Sequence, residues 1–151
     1  MLRGGLRRSR GSGLSIADEG YDRCYGCGQG NANGLRLRFE HRDGSAECVY
    51  TVPEHFAGAP GVIHGGAQAT MLDEVMGHAI HFGDVDPDLD VVTVEFTLRY
   101  RRPAPVAVPL TLRGRLLRSE GRDFFVAGEI VSPQGEVLTT AESRWRRVSR
   151  G

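Results

Sequence analysis

His64, Gly65, Gly66 and Asp73 are the residues in this chain whose types and spacing could do chemistry together. They lie in Phe56-Ala-Gly-Ala-Pro-Gly-Val-Ile-His-Gly-Gly-Ala-Gln-Ala-Thr-Met-Leu-Asp73, which runs from a Pro/Gly loop into small and unbranched residues. Two adjacent glycines at a helix start leave backbone N–H groups with no intrahelical partner and no side chain over them. The helix dipole adds partial positive charge at the same place. Such a turn suits a carbonyl oxygen that is gaining negative charge, although a bare Gly-Gly is also what a plain loop-to-helix junction needs. Asp73 narrows the choice. Its neighbours Met71, Leu72, Val75 and Met76 are apolar, and a carboxylate in such surroundings must be paired, solvated through a cavity, or used. Glu74 points about 100° away on a helix. One of the two faces a pocket, and residue type alone leaves open which.

Two other groups invite a metal reading. Cys24-Tyr-Gly-Cys27 has the spacing of half a zinc site, but no second CxxC or HxxxH follows to complete four ligands. It sits among glycines before a strand, so a structural turn is the expectation. Glu74, His78 and His81 fall at i, i+4 and i+7 and could share a helix face. Histidines there fit an interface or a satisfied core position better than a ligand set. No metal and no cofactor is expected.

The elements that must position these residues follow from periodicity. Residues 15–23 could form a short helix, and 24–33 are Gly/Asn-rich turn material. Residues 34–41 and 45–52 alternate apolar and polar on either side of an Asp-Gly turn, which reads as a hairpin. From Gly65 to about Phe82 there is no proline, and Ala67, Ala69, Met71, Leu72, Val75, Met76, Ala79 and Ile80 form an apolar stripe wide enough for a largely wrapped helix. Gly83-Asp-Val-Asp-Pro-Asp88 ends it. Strands are expected over 90–101, 106–118, 122–131 and 136–148. Two strands, one helix and four long strands make an α+β chain: a curved antiparallel sheet around one long central helix. That order points toward a hotdog fold.

Composition sets the outer bounds. At 151 residues the chain fits one domain with a proper core, here a single domain over 15–151 after a flexible basic tail at 1–14. Apolar residues at 40% and charged residues at 25% are those of a soluble globular protein. With 19 basic and 19 acidic residues the formal charge is zero, so neither nucleic acid nor an anionic membrane is an expected partner. All the basic residues are arginines, whose planar donor fork suits phosphates. The apolar runs are too short for a membrane span, and a basic start without an apolar region gives no expectation of a secretory signal. The expected compartment is the cytoplasm, where Cys24, Cys27 and Cys48 would stay reduced.

The motif His-Gly-Gly with an Asp nine residues after the His resembles the signature of hotdog thioesterases of the phenylacetic-acid-pathway (PaaI-like) and human thioesterase-superfamily type. Cys24-Tyr-Gly-Cys-Gly-Gln-Gly-Asn-Ala-Asn-Gly-Leu-Arg-Leu-Arg-Phe39 resembles the "C-x-x-C-G … N-x-x-G-L-x-L-x-F" opening of many members, and the strand running to Tyr100-Arg-Arg-Pro103 resembles their "Y-x-R-P". The likeness covers about 22–147. It implies that Asp73 is the general base or the nucleophile, that Gly65 donates its N–H to the thioester oxygen, that His64 lies beside the sulfur, and that Thr93 could hold the lytic water. It also implies a site at a subunit interface, with Asp73 and the Gly65 amide from different chains. Gly58, Gly66 and Gln68 are the candidate substrate contacts near the helix start. Arg101 and Arg102 are the candidate landing site for coenzyme A phosphates, with Arg144, Arg146 and Arg147 second.

One position departs from the pattern. Many relatives carry Asn six residues before the His, where this chain has Gly58, as in the mammalian long-chain acyl-CoA branch. The expected function is therefore hydrolysis of a medium- to long-chain or bulky acyl-CoA. The alternatives are a hotdog protein that binds acyl-CoA or another hydrophobic ligand without cleaving it, and a thioesterase for a carrier-protein-bound acyl chain. A lone hotdog leaves its helix and one sheet edge incompletely covered, so a homodimer or homotetramer is expected.

Overall fold

The computed structural model describes residues 21–81 and 90–148. The tail at 1–14, most of the short helix expected at 15–23, the helix stop at 83–88 and the side chain of His81 lie outside the described residues. Six strands, β1 (Glu40–Arg42), β2 (Ser45–Thr51), β3 (Asp90–Tyr100), β4 (Pro109–Glu120), β5 (Asp123–Val131) and β6 (Val137–Val148), form one sheet in the order β1-β2-β4-β5-β6-β3. Every neighbouring pair is antiparallel. One long helix, α1 (Gly65–His81), lies across the sheet and touches all six strands. A flat sheet of six strands is about 24 Å wide, and a helix with its side chains is about 10 Å wide. Contact with every strand therefore requires the sheet to curve around the helix, which is the hotdog arrangement the element order implies.

Small residues make that contact possible. Ala46 stands opposite Gly114, Gly114 opposite Gly128, and Gly128 opposite Ala141, one cross-strand row over four strands. A Cβ on Gly114 would overlap the carbonyl oxygen of Val75, and one on Gly128 would come within 2.9 Å of Met76 Cγ. Gly77 does the same from the helix side, where a Cβ would lie 2.9 Å from the Trp145 ring. Larger side chains fill the space on either side of the row. Leu72, Val75, Met76, Ala79 and Ile80 are buried against Leu110, Leu112, Val126 and Ile130.

Two expected strands are shorter than their patterns. Leu35, Leu37 and Phe39 are buried and alternate with exposed Arg36 and Arg38, as a half-buried strand should. Yet the Leu35 and Leu37 N–H groups bond to the carbonyls of Tyr25 and Gly26, each at 2.9 Å, and Arg36 has φ +53°. The left-handed residue breaks the extended run, and its hydrogen bonds go to the cysteine loop instead of a neighbouring strand. Only residues 40–42 join the sheet. Likewise β4 begins at Pro109 and not at 106, because Ala107 takes φ +58° and its N–H bonds to Val52 O at 2.9 Å.

Gly114→Ala is expected to destabilise the fold by about 2 kcal/mol, the cost of overpacking a filled core. Urea unfolding would show a lower midpoint at unchanged slope. An unchanged midpoint would mean that the helix does not rest on the sheet at this row.

Candidate active site

The helix start is a pinned turn. Gly58 N–H bonds to Val62 O at 2.9 Å, Ile63 N–H to Ala104 O at 2.8 Å, and His64 N–H to Phe56 O at 2.9 Å. Gly61 sits at φ +76°, a conformation glycine adopts at no steric cost. His64 then acts as the helix cap: its Nδ1 accepts the Gly66 N–H at 2.9 Å. A neutral His64 in this arrangement carries its proton on Nε2. The first intrahelical bond runs from Gln68 N–H to His64 O. Among the described residues no acceptor meets the Gly65 N–H, which leaves it as an open donor at the positive end of the dipole. Tyr100 Oη donates to Gly65 O at 2.8 Å and would lie 3.3 Å from a Cβ on Gly65. A side chain at this position would need the tyrosine to give by a few tenths of an ångström.

Two turns along, Asp73 and Glu74 diverge. Asp73 Oδ1 accepts a hydrogen bond from Thr93 Oγ1 of β3 at 2.7 Å. Burial pushes the Asp73 carboxyl above its ordinary value, and the Thr93 hydroxyl opposes that rise by bonding the charged form. Glu74 turns to the other side, under the loop that holds Cys24 and Cys27. The Asp73 carboxylate is thus the one beside the sheet edge. Its place depends on a bulge. Thr93 pairs with Trp145 and Glu95 with Arg144, so Val94 is the extra residue. Residues seven apart on a regular strand face opposite ways. The extra residue restores the parity, and Thr93 and Tyr100 both reach α1.

Other candidate residues are spread more widely. Gln68 is buried at 3% exposure, its Nε2 donating to Ile63 O at 3.0 Å and its Oε1 accepting from Thr139 Oγ1 at 2.6 Å. It ties the helix to β6. Gly58 lies against His64, where a Cβ would stand 3.2 Å from the histidine Cα. Arg101 and Arg102 are exposed at the end of β3; Arg101 Nε bonds Thr140 Oγ1 at 3.3 Å and Arg102 Nε meets Glu136 at 2.6 Å. Arg146 is held by both oxygens of Asp123, at 2.7 and 3.1 Å, and Arg144 lies 3.7 Å from Glu95. A groove of about 500 Å³ lies on the sheet face turned away from α1, lined in part by Glu47, Arg113, Arg115 and Glu129, and includes none of the candidate residues.

Tyr100 has a contact role at the helix start that its motif membership did not suggest. The available signal was a tyrosine at the end of a strand, next to charged residues and outside the alternating core. The bulge that aligns it with Thr93 has no mark in the sequence.

The thioesterase superfamily model matches residues 60–139, more than half of the chain. This protein belongs to the thioesterase superfamily. It is 30% identical over 93 residues to acyl-coenzyme A thioesterase THEM4 of Rattus norvegicus, a match that covers 62% of this chain and 38% of the rat protein. The chain thus spans well under half the length of that relative. A crystal structure of a thioesterase superfamily protein superposes with a TM-score of 0.76 at 32% identity, covering 83% of this chain and 60% of the other. The E. coli PaaI protein from the phenylacetic acid degradation operon shares the fold, with a TM-score of 0.68 at 19% identity over 76% of this chain and 81% of its own.

The raised Asp73 pKa has a stability consequence. A carboxyl that holds its proton more tightly folded than unfolded makes the fold less stable once pH rises above the unfolded value. Asp73→Asn is therefore expected to raise Tm at neutral pH, and the gain should vanish in acid, where the aspartate is protonated in both states. Thr93→Val should move the Asp73 titration, followed by carbon-detected NMR, to still higher pH. A titration at or below the ordinary aspartate value would contradict both.

Proposed function

We propose that this chain hydrolyses acyl-CoA thioesters, with Asp73 as general base or nucleophile and the Gly65 N–H as oxyanion donor. The observation that carries the proposal is the separation of two complementary half-sites. One is a half-buried carboxylate held by Thr93, and the other an open N–H at a helix start. Eight residues of helix set them about 12 Å apart along the axis, too far for one carbonyl to meet both within a chain.

A second copy would close the gap. β3 is an edge strand with exposed Val92 and Val94, and an uncovered apolar edge favours pairing. Thr93 marks the Asp73 end of β3, and Tyr100 marks the Gly65 end. Antiparallel pairing of two β3 strands about a two-fold axis between those residues would bring each Asp73 to the partner's Gly65. The same pairing supports a homodimer, with a tetramer as its doubling.

The chemistry then needs no metal. Asp73, acting as base, takes a proton from water as the water oxygen attacks the thioester carbonyl. The Gly65 N–H holds the oxygen that becomes negative. The tetrahedral intermediate collapses with cleavage of the C–S bond, and the sulfur leaves with the proton from Asp73. Acid and free coenzyme A result. Arg101 and Arg102 would meet the phosphates; the exposed Arg102–Glu136 pair is weak enough to exchange for them. Gly58, at the position where the mammalian long-chain acyl-CoA branch also has glycine, supports a long or bulky acyl group. The named activity of the rat relative supports this reading.

Thiol release from acyl-CoAs of graded chain length should show turnover that falls about 100-fold or more in Asp73→Asn. Binding without turnover would instead mean a ligand-binding protein or a carrier-protein substrate. Gly65→Pro removes the N–H at a helix position that tolerates proline, and should be equally poor. Co-refolding the two inactive variants should recover about one quarter of wild-type turnover, because half the dimers are mixed and each of those has one intact site. No recovery would place both groups of a site in one chain.

A further inference from the structure

The loop that opens with Cys24 lies against α1 on the side away from Asp73. Cys24 Sγ donates to Glu74 Oε1 at 3.4 Å, and the Cys27 N–H points to Cys24 Sγ at 3.4 Å. The donor atoms of Cys24, Cys27 and Glu74 all lie within 4.8 Å of one another, and all three residues are half-buried. Gly26 brings the loop backbone so close that a Cβ there would overlap the Glu74 side chain. The sequence offers Cys24 and Cys27 as half of a ligand set. The fold supplies the next ligand, Glu74, fifty residues away.

Three groups that become anions on ionising converge here, and among the described residues no arginine pairs with any of them. Zinc-class ions bind thiolate at about 2.3 Å and carboxylate oxygen at about 2.1 Å, which sets the donor atoms of a tetrahedral site roughly 3.5 Å apart. The Cys24–Glu74 distance already matches, and small rotations bring in Cys27. A backbone N–H on a sulfur is the outer contact that steadies a thiolate ligand. His78, one turn along α1, has Nε2 at 3.9 Å from the other Glu74 oxygen and Nδ1 at 2.9 Å from His41 Nε2. It is the adjacent further donor, with its second nitrogen already held as a ligating imidazole's usually is.

We infer that Cys24, Cys27 and Glu74 bind one thiophilic divalent cation of the zinc class, which clamps the 21–34 loop onto the helix that carries Asp73. The ion takes no part in thioester cleavage. It lies on the other side of α1, so the inference stands or falls independently of the hydrolase reading.

The test is metal content and cobalt spectroscopy on the full chain under a reductant. Protein purified from zinc-supplemented cells should hold one zinc per chain after dialysis, and the cobalt-substituted form should show a thiolate-to-cobalt charge-transfer band. Cys24→Ser and Cys27→Ser should each lose the zinc and most of the band, and Glu74→Gln should weaken binding about tenfold or more. Cys48→Ser, whose thiol is buried between β2 and the core, should retain both. Circular dichroism on every variant separates loss of ligand from loss of fold. Wild-type protein that takes up neither zinc nor cobalt would overturn the inference, as would a band that survives in the Cys24→Ser/Cys27→Ser double variant.

Discussion

The structure depends on how closely α1 approaches the sheet. Gly114 meets the carbonyl of Val75, Gly128 meets Met76, and Gly77 meets the Trp145 ring, so backbone and side chain touch where two side chains would ordinarily stand. Closeness sets curvature. A helix resting that low must be flanked by strands that rise on both sides, and the outer strands β1 and β3 reach it only because the central ones lie beneath it. A larger residue in the row would lift the helix and draw Asp73 away from Thr93, and the Gly65 carbonyl from Tyr100. Dense interiors transmit such a shift rather than absorb it.

Once the helix is fixed, its 100° step per residue sorts adjacent side chains among different neighbours. Gln68 turns inward to Thr139 and Ile63, Asp73 toward the edge strand, and Glu74 beneath the cysteine loop. Leu72 and Val75 on either side are wholly buried. The carboxylates are thus placed by rotation about one axis, and the bulge at Val94 makes the sheet edge match that rotation.

Much of this is legible in the sequence, for definite reasons. The apolar stripe of α1, the alternation in β2 and β5 and the turn residues between strands are local patterns, and they mark the α+β order within a few residues. Gly65, His64 and Asp73 stand out as candidates because a glycine pair and two adjacent acids among apolar residues are locally odd. What the sequence hides is non-local. Gly114 and Gly128 read as weak points in strands until their cross-strand alignment is known. The alternation of Leu35, Leu37 and Phe39 correctly reports burial but not that their backbone bonds to the cysteine loop. Gln68 looks like a polar residue near a site, yet its partners are 71 and five residues away in the chain. Glu74 completes a group with Cys24 and Cys27 across 50 residues, a distance no spacing rule spans.

Adjacent acids half-buried on one helix pose a charge problem that shapes both sides of α1. The Asp73 charge itself contributes to the rise in the Glu74 pKa. Two neighbouring carboxylates that both lack compensation would each favour the protonated form, and a base must be ionised to accept a proton. The fold separates their solutions. Asp73 keeps a hydroxyl donor at the sheet edge, whereas Glu74 is bonded by the Cys24 thiol beneath the cysteine loop. Burial is what raises Asp73, and the Thr93 hydroxyl is what opposes it. The cysteine loop and the sheet edge are thus two separate environments on one helix, divided by the turn from residue 73 to residue 74.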